Sequence, residues 1–161
     1  MFQLDWLNMH IIGHLQEGRK SYKKIADALG VSENTVKARV RKLESEGILK
    51  IAGYVDPEAM DGHQIVYIGV KLKDLDYTAM GEEISRLKRV VSVGVVTGRY
   101  DLIVTVHLKS GFGFLDFLSR ELGKIERIES IETYMVHKGF NIKVPYIVDE
   151  WDMGEARNDG P

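Results

Sequence analysis

Gly30-Val31-Ser32 constrains this chain more than any other stretch of it. Glycine tolerates the left-handed conformation that ends a helix, and serine is among the side chains that best cap a helix start, so the helices on either side are joined by almost nothing. Upstream, Ser21 offers a second cap, and Ile25, Ala26 and Leu29 recur at helical spacing. Downstream, Val36, Val40 and Leu43 share one stripe that Gly47 closes. An earlier run with Leu4, Leu7, Ile11 and Leu15 at the same period predicts a further helix, stopped by Gly18. Two short helices joined this tightly, with one more to pack against, predict a helix-turn-helix.

Burying Val36, Val40 and Leu43 turns Asn34, Lys37 and Arg41 outward along one line, with Thr35, Ala38 and Lys42 beside them and Ser32 at its head. Such a line suits a DNA major groove. Arg and Asn can pair bidentately with guanine and adenine edges, Ala permits close approach, and Thr and Lys can hold phosphates. The competing reading is a solvated face whose cations merely pair with Glu33, Glu44 and Glu46, but it does not explain why cap, turn, stripe and basic line coincide. Charge partition favours a polyanion as well. Up to Ala52 the chain has nine Lys/Arg against six Asp/Glu, and beyond it thirteen against eighteen, so a net −2 conceals +3 followed by −5. After Gly47, "ILKIAGYV" reads as a short strand leading out of a winged-helix-like unit, with Lys50 as a further phosphate contact.

From "VDPEAMDGHQ" onward the texture becomes β-rich. "IVYIGVKL" is a strand, "YTAMGEEISRLKRV" a helix with Met80, Ile84 and Leu87 inward, and "VVSVGVV" and "YDLIVTVHL" are strands. "GFLDFLSRELGKI" is a helix with Phe114, Phe117, Leu118 and Leu122 inward, and "IESIETYMVHK" a last strand. The order β-α-β-β-α-β predicts a ferredoxin-like antiparallel sheet with both helices on one face, hence an α+β protein. The expected organisation is a helix-turn-helix DNA-binding domain over 1–53, a linker over 54–64, a sheet domain over 65–145 and an acidic tail over 146–161. Val66, Ile68, Val70 and Leu72 alternate with Tyr67, Gly69 and Lys71, while "LIVTVHL" offers apolar groups to both sides. An exposed apolar sheet face is therefore expected, with a homodimer as the least assembly it implies.

Other chemistry is weakly signalled. The chain has no cysteine, which excludes disulfides and cysteine-based zinc or redox sites and suits a reducing cytoplasm. Its first residues carry Asp5 and no basic n-region, and no apolar run approaches the roughly 18 residues of a membrane span. His10 and His14 have the i, i+4 spacing of a metal pair but no third ligand, and His63, His107 and His137 stand singly. "SGFGF" lacks the third glycine of a dinucleotide loop and reads as a helix start. Glu82 and Glu83 lie on a solvated helix. Neither a catalytic constellation nor a cofactor or metal site is expected.

Together, "LDWLNMHIIGHLQEGRKSYKKIADALGVSENTVKARVRKLESEGIL" and "VVSVGVVTGRYDLIVTV" resemble the Lrp/AsnC family of feast/famine transcriptional regulators, and the resemblance runs to about Lys143. It implies a DNA-binding helix-turn-helix, a linker strand, and a ferredoxin-like domain that dimerises through its sheet and assembles to tetramers, octamers or larger discs. It also implies an amino-acid effector held between subunits at "VTGRYDL". There, Gly98 can present backbone N–H groups to a carboxylate, Asp101 an anion to an α-ammonium, and Thr97, Arg99 and Tyr100 the remaining lining. By the same resemblance, Thr133 and Met135 contribute from a neighbouring subunit. A plain hairpin with Asp101 accepting a local hydrogen bond is the alternative. Two other functions use the same plan. Siroheme decarboxylases look alike, yet carry a histidine-containing segment where this chain has "VVTGRYD". A sensor that has lost DNA binding would not keep the basic face. The tail "VDEWDMGEARNDGP" has no counterpart in the family pattern.

Overall fold

The computed structural model describes residues 4–16, 18 and 20–146. The acidic tail expected over 146–161 therefore lies outside the described residues, Tyr146 apart. The chain divides into two compact units between Ala52 and Gly53.

The first unit comprises α1 (Trp6–Gln16), α2 (Tyr22–Leu29) and α3 (Glu33–Ser45). Local chemistry sets their ends. The Asn8 N–H donates to the Asp5 carboxylate at 2.8 Å, Ser21 Oγ accepts from the Lys24 N–H at 3.3 Å, and Ser32 Oγ accepts from the Thr35 N–H at 3.1 Å. Gly30 turns the chain at φ 67°, as a left-handed cap requires. Ile11, Ile25, Ala26, Val36 and Val40 form the core, and Leu7, Leu15, Leu29, Val31 and Leu49 pack around it. Each fully buried Val or Ile contributes roughly 1.5–3 kcal/mol. Leu4, expected in the same stripe, is exposed, so the stripe begins at Leu7. No strand follows α3 among the unit's described residues, which corrects the winged-helix-like expectation; "ILKIAGYV" forms a strand only at Tyr54 and Val55.

In the second unit that strand, β1 (Tyr54–Val55), pairs with β6 (Val144–Pro145). The main sheet contains β2 (Gln64–Leu72), β3 (Val90–Val95), β4 (Leu102–Leu108) and β5 (Ile128–Met135), ordered β3-β4-β2-β5 and antiparallel throughout. α4 (Tyr77–Ser85) and α5 (Phe114–Arg120) make the two crossovers, giving the expected β-α-β-β-α-β order. Val66, Ile68 and Val70 lie opposite Val106, Val104 and Leu102 in register, Leu72 lies opposite Ile128 of β5, and with Met80, Ile84, Phe117 and Leu122 they bury one face. α5 is shorter than its apolar pattern, and Leu122 reaches the core from a 3₁₀ turn.

The opposite face differs from the broadly apolar surface expected. Tyr67, Ile103 and Thr105 are half-buried there, Ser92, Gly94, Ser130 and Tyr134 are exposed, and Lys71 and Glu132 add charge. Part of its apolar area is covered from within the chain. The Tyr100 ring lies over Gly69 so closely that a Cβ at Gly69 would sit 2.6 Å from it. No helix among the described residues is long and apolar enough to cross a membrane.

Candidate nucleic-acid interface and effector turn

Burial of Val36, Val40 and Leu43 orients α3. Ser32, Asn34, Ala38, Arg41 and Lys42 are exposed, and Thr35 and Lys37 are half-buried. Lys37 Nζ lies 2.7 Å from Glu33, one turn back, an exposed pair that is weak enough to exchange for a phosphate. Ser32 Oγ and Thr35 Oγ1 share a 2.8 Å hydrogen bond. Arg39 behaves differently. Its guanidinium pairs with the Asp5 carboxylate and reaches the buried Asn8 Oδ1 at 3.5 Å, so it ties α3 to the start of α1. The Asn8 N–H, with Arg39, holds the Asp5 carboxyl below its ordinary range. Lys23 and Lys24 are also exposed, on the first turn of α2. Their only sequence signal is a pair of cations beside the Ser21 cap, and the helical stripe gives no reason to single them out.

The β3–β4 connection brings Thr97, Gly98, Arg99, Tyr100 and Asp101 together. The Val96 N–H donates to the Asp101 carbonyl at 2.9 Å, and Gly98 takes φ 147°, in the region that favours glycine. Thr97, Gly98 and Arg99 are exposed. The turn converges on Glu132 of β5. Arg99 Nη2 approaches its carboxylate to 2.7 Å, the Tyr134 hydroxyl donates to it at 2.8 Å, and the Tyr100 hydroxyl bonds both Glu132 and Tyr134. Hydrogen bonds from Tyr100 and Tyr134 lower the Glu132 carboxyl from its usual range, while burial and then its own hydrogen bonds to Glu132 and Tyr134 push the Tyr100 phenol up.

Asp101, expected to offer an anion to an ammonium group, has partners of its own within the chain. One oxygen accepts from Lys71 Nζ at 2.9 Å and the other from the Leu72 N–H at 2.9 Å, both on β2. Its side chain is only 11% exposed, against 38% for Glu132. Lys71, then the Leu72 N–H, hold its carboxyl below the usual range. Thr133 and Met135 face away from the turn. They oppose Ile68 and Val66 in register and share the helix-covered face, whereas Glu132 and Tyr134 point to the other side.

The histidines do not all stand singly. His63 Nδ1 lies 2.9 Å from His107 Nε2, because the strand register brings the entry to β2 against the far end of β4. Among the described residues no three His, Cys, Asp or Glu side chains form a metal-holding group.

The AsnC-type helix-turn-helix domain matches residues 4–44, and the Lrp/AsnC ligand binding domain matches residues 65–142. An uncharacterized HTH-type transcriptional regulator of Pyrococcus furiosus is 38% identical over 132 residues, 81% of this chain and 89% of that protein. The chain belongs to the Lrp/AsnC family of helix-turn-helix transcriptional regulators. Its fold agrees with that of AsnC from E. coli, at a TM-score of 0.65 and 28% identity over 86% of this chain and 95% of that one. A Neisseria meningitidis transcriptional regulator in complex with L-Met shares the Lrp/AsnC fold at a TM-score of 0.67 and 20% identity, over 92% of this chain and 99% of that one.

Proposed function

We propose that this Lrp/AsnC protein regulates transcription in the cytoplasm by binding double-stranded DNA sequence-specifically through α3, as a homodimer or a larger assembly, under the control of a small amino acid. The observation that carries the reading is the division of labour on α3. Val36, Val40 and Leu43 fill the core, Arg39 is spent on α1, and Asn34, Ala38, Arg41 and Lys42 remain exposed together. Asn34 and Arg41 read base edges, Ala38 allows the helix to approach, and Ser32, Thr35, Lys37 and Lys42 hold phosphates. Lys23 and Lys24 add backbone contacts. Selection of bound duplexes from random sequence, followed by titration at increasing salt, tests this. A recovered motif whose affinity falls linearly with log salt supports it, and weak binding without sequence preference refutes it.

The effector reading is built on Glu132. An amino acid bound at the turn would place its carboxylate on the Gly98 N–H and the Arg99 guanidinium and its ammonium on Glu132, with Thr97 and Tyr100 alongside and Thr133 and Met135 supplied by a neighbouring subunit. Asp101 serves to fix the turn. The regulator solved with L-Met is the reason to begin with amino acids. To act, the ligand must prefer one assembly or one DNA-bound state over another. Calorimetric titration of the common amino acids into the wild type and Glu132→Gln, with sedimentation on the same samples, decides. Binding weakened about tenfold or more in the variant supports the site, and no heat at millimolar ligand removes it.

A further inference from the structure

The first residues after Ala52 are held by the last described residues of the sheet unit, although the sheet itself does not need this. The four strands β3-β4-β2-β5 are complete at Met135. The chain then returns over residues 136–146 and fastens the linker. Lys138 Nζ and the Gly139 N–H donate to the two Glu58 carboxylate oxygens at 2.8 and 2.7 Å. Lys143 pairs with Asp56. Val144 and Pro145 form a ladder with Val55 and Tyr54, and the Tyr146 N–H donates to the Gly53 carbonyl at 3.3 Å. Tyr146 closes the set. Its ring stacks on His63 at 6.1 Å and 27°, lies 5.5 Å from Lys109 Nζ, and so joins the pair that His63 makes with His107 of β4.

We propose that residues 138–146 are a clasp on the linker, and that by fixing where the chain leaves the sheet unit it sets the half-site separation this protein accepts on DNA. The second half of the inference rests on the DNA-binding, oligomeric reading above. A two-residue ladder does not persist on its own, and exposed ion pairs are individually weak. What makes the clasp effective is that its hydrogen bonds, ion pairs and ladder to the linker all fall on one short stretch, Gly53 to Glu58, while the Tyr146 ring anchors it to His63 and Lys109 of the sheet unit. The tether is shortened accordingly. Leu49 still packs in the helical core, so Lys50, Ile51 and Ala52 alone separate the two anchored stretches. Released, the tether would extend to His63, about 14 residues with an r.m.s. span of roughly 20 Å. Half-sites on one face of DNA lie about 34–36 Å apart, so that freedom would blur the spacing.

Two variants test this in the full chain: Lys138→Ala with Lys143→Ala, which removes exposed side chains and spares the core, and Tyr146→Ala. Hydrogen exchange over residues 51–57 is read first, and should rise about tenfold or more in both. Next, a duplex selected by the wild type is compared with one in which about 5 base pairs, half a helical turn, separate the half-sites further. The wild type should lose about tenfold or more in affinity on insertion, and the variants should bind the two duplexes within about threefold of each other. Unchanged protection in the lysine variant overturns the clasp. Raised exchange with wild-type spacing discrimination overturns its role on DNA. Failure of the wild type to select any DNA would instead refute the regulator reading, with the exchange experiment still deciding whether the segment holds the linker.

Discussion

Arg39 and Arg41 stand two positions apart on α3 and do different work. Arg41→Ala or Asn34→Ala should relax base preference by about 1–3 kcal/mol at the position read, while Lys42→Ala weakens every sequence alike, as competition binding to single-substitution operators would show. Arg39→Ala should leave base preference untouched and lower the melting temperature by about 3 °C, since it loses the tie to Asp5 and Asn8. Equal relaxation of base preference by both arginine variants would sink this assignment. The outward line of α3 was legible because a helix repeats every few residues, so a buried stripe dictates its own opposite face. Arg39 was not legible as a tie, because its partners sit at the start of another helix, 34 and 31 residues away in the chain. Asp101 illustrates the same limit. Its neighbours in sequence suggest a turn anion, but its carboxylate is spent on Lys71 and Leu72 of β2. Asp101→Asn keeps one acceptor for Leu72 and turns a donor toward Lys71, so it should lower the melting temperature by about 5 °C and unsettle the turn. A thermal melt unchanged from wild type would return Asp101 to the list of available anions.

Among elements, α2 and α3 were readable to within a residue because Ser21, Gly30 and Ser32 fix their ends locally. β1 was misread because a two-residue strand exists only by virtue of β6, which no local pattern announces. The pairing of His63 with His107 was hidden for the same reason, and it makes stability depend on pH. Burial, helped by His63, Arg89 and Lys109, holds His107 down to about 4 from an ordinary 6.5. His63 is lowered too, by burial and then by Lys109 and Arg89. As pH falls below 6.5 the unfolded chain takes up protons that the folded chain refuses. The contribution of the pair is therefore full above that pH, drains away down to about 4, and amounts to about 3 kcal/mol at most for His107. Carboxylates held low, Asp56 by Lys143 and Asp74 by Arg127, lose their contribution in the same direction, as pH falls, but only below about 4, so the two windows separate. Urea midpoints should fall between pH 7.5 and pH 5 in the wild type, and much less in His107→Gln; equal falls would place the sensitivity elsewhere.

At the scale of the whole molecule, the β-α-β-β-α-β order and the split of charge at the unit boundary were both present in the sequence, since each is a sum over many residues and tolerates local errors. The chemistry of the uncovered sheet face was not. Whether "LIVTVHL" shows apolar groups to solvent depends on which side chains swing across it, and Tyr100 comes from beyond the strand to lie over Gly69. That face now presents Tyr67, Ile103 and Tyr134 among Thr105, Ser92 and Ser130. A mixed aromatic and polar surface of this kind suits a partner that is added and removed, whereas a uniformly aliphatic one would bind irreversibly or aggregate. Two copies facing each other would bury Ile103 and Tyr134 near the centre of a self-complementary interface, as a two-fold axis requires. The unit beginning at Gly53 has a hydrophobic core of its own, so it should fold and remain at least dimeric when expressed alone. Ile103→Asp should dissociate it, because a half-buried aliphatic position would then carry an unpaired charge into the interface. Sedimentation at micromolar protein reads both. A monomeric wild-type unit, or an Ile103→Asp variant that sediments like the wild type, would mean that the copies meet through some surface other than this face of the sheet.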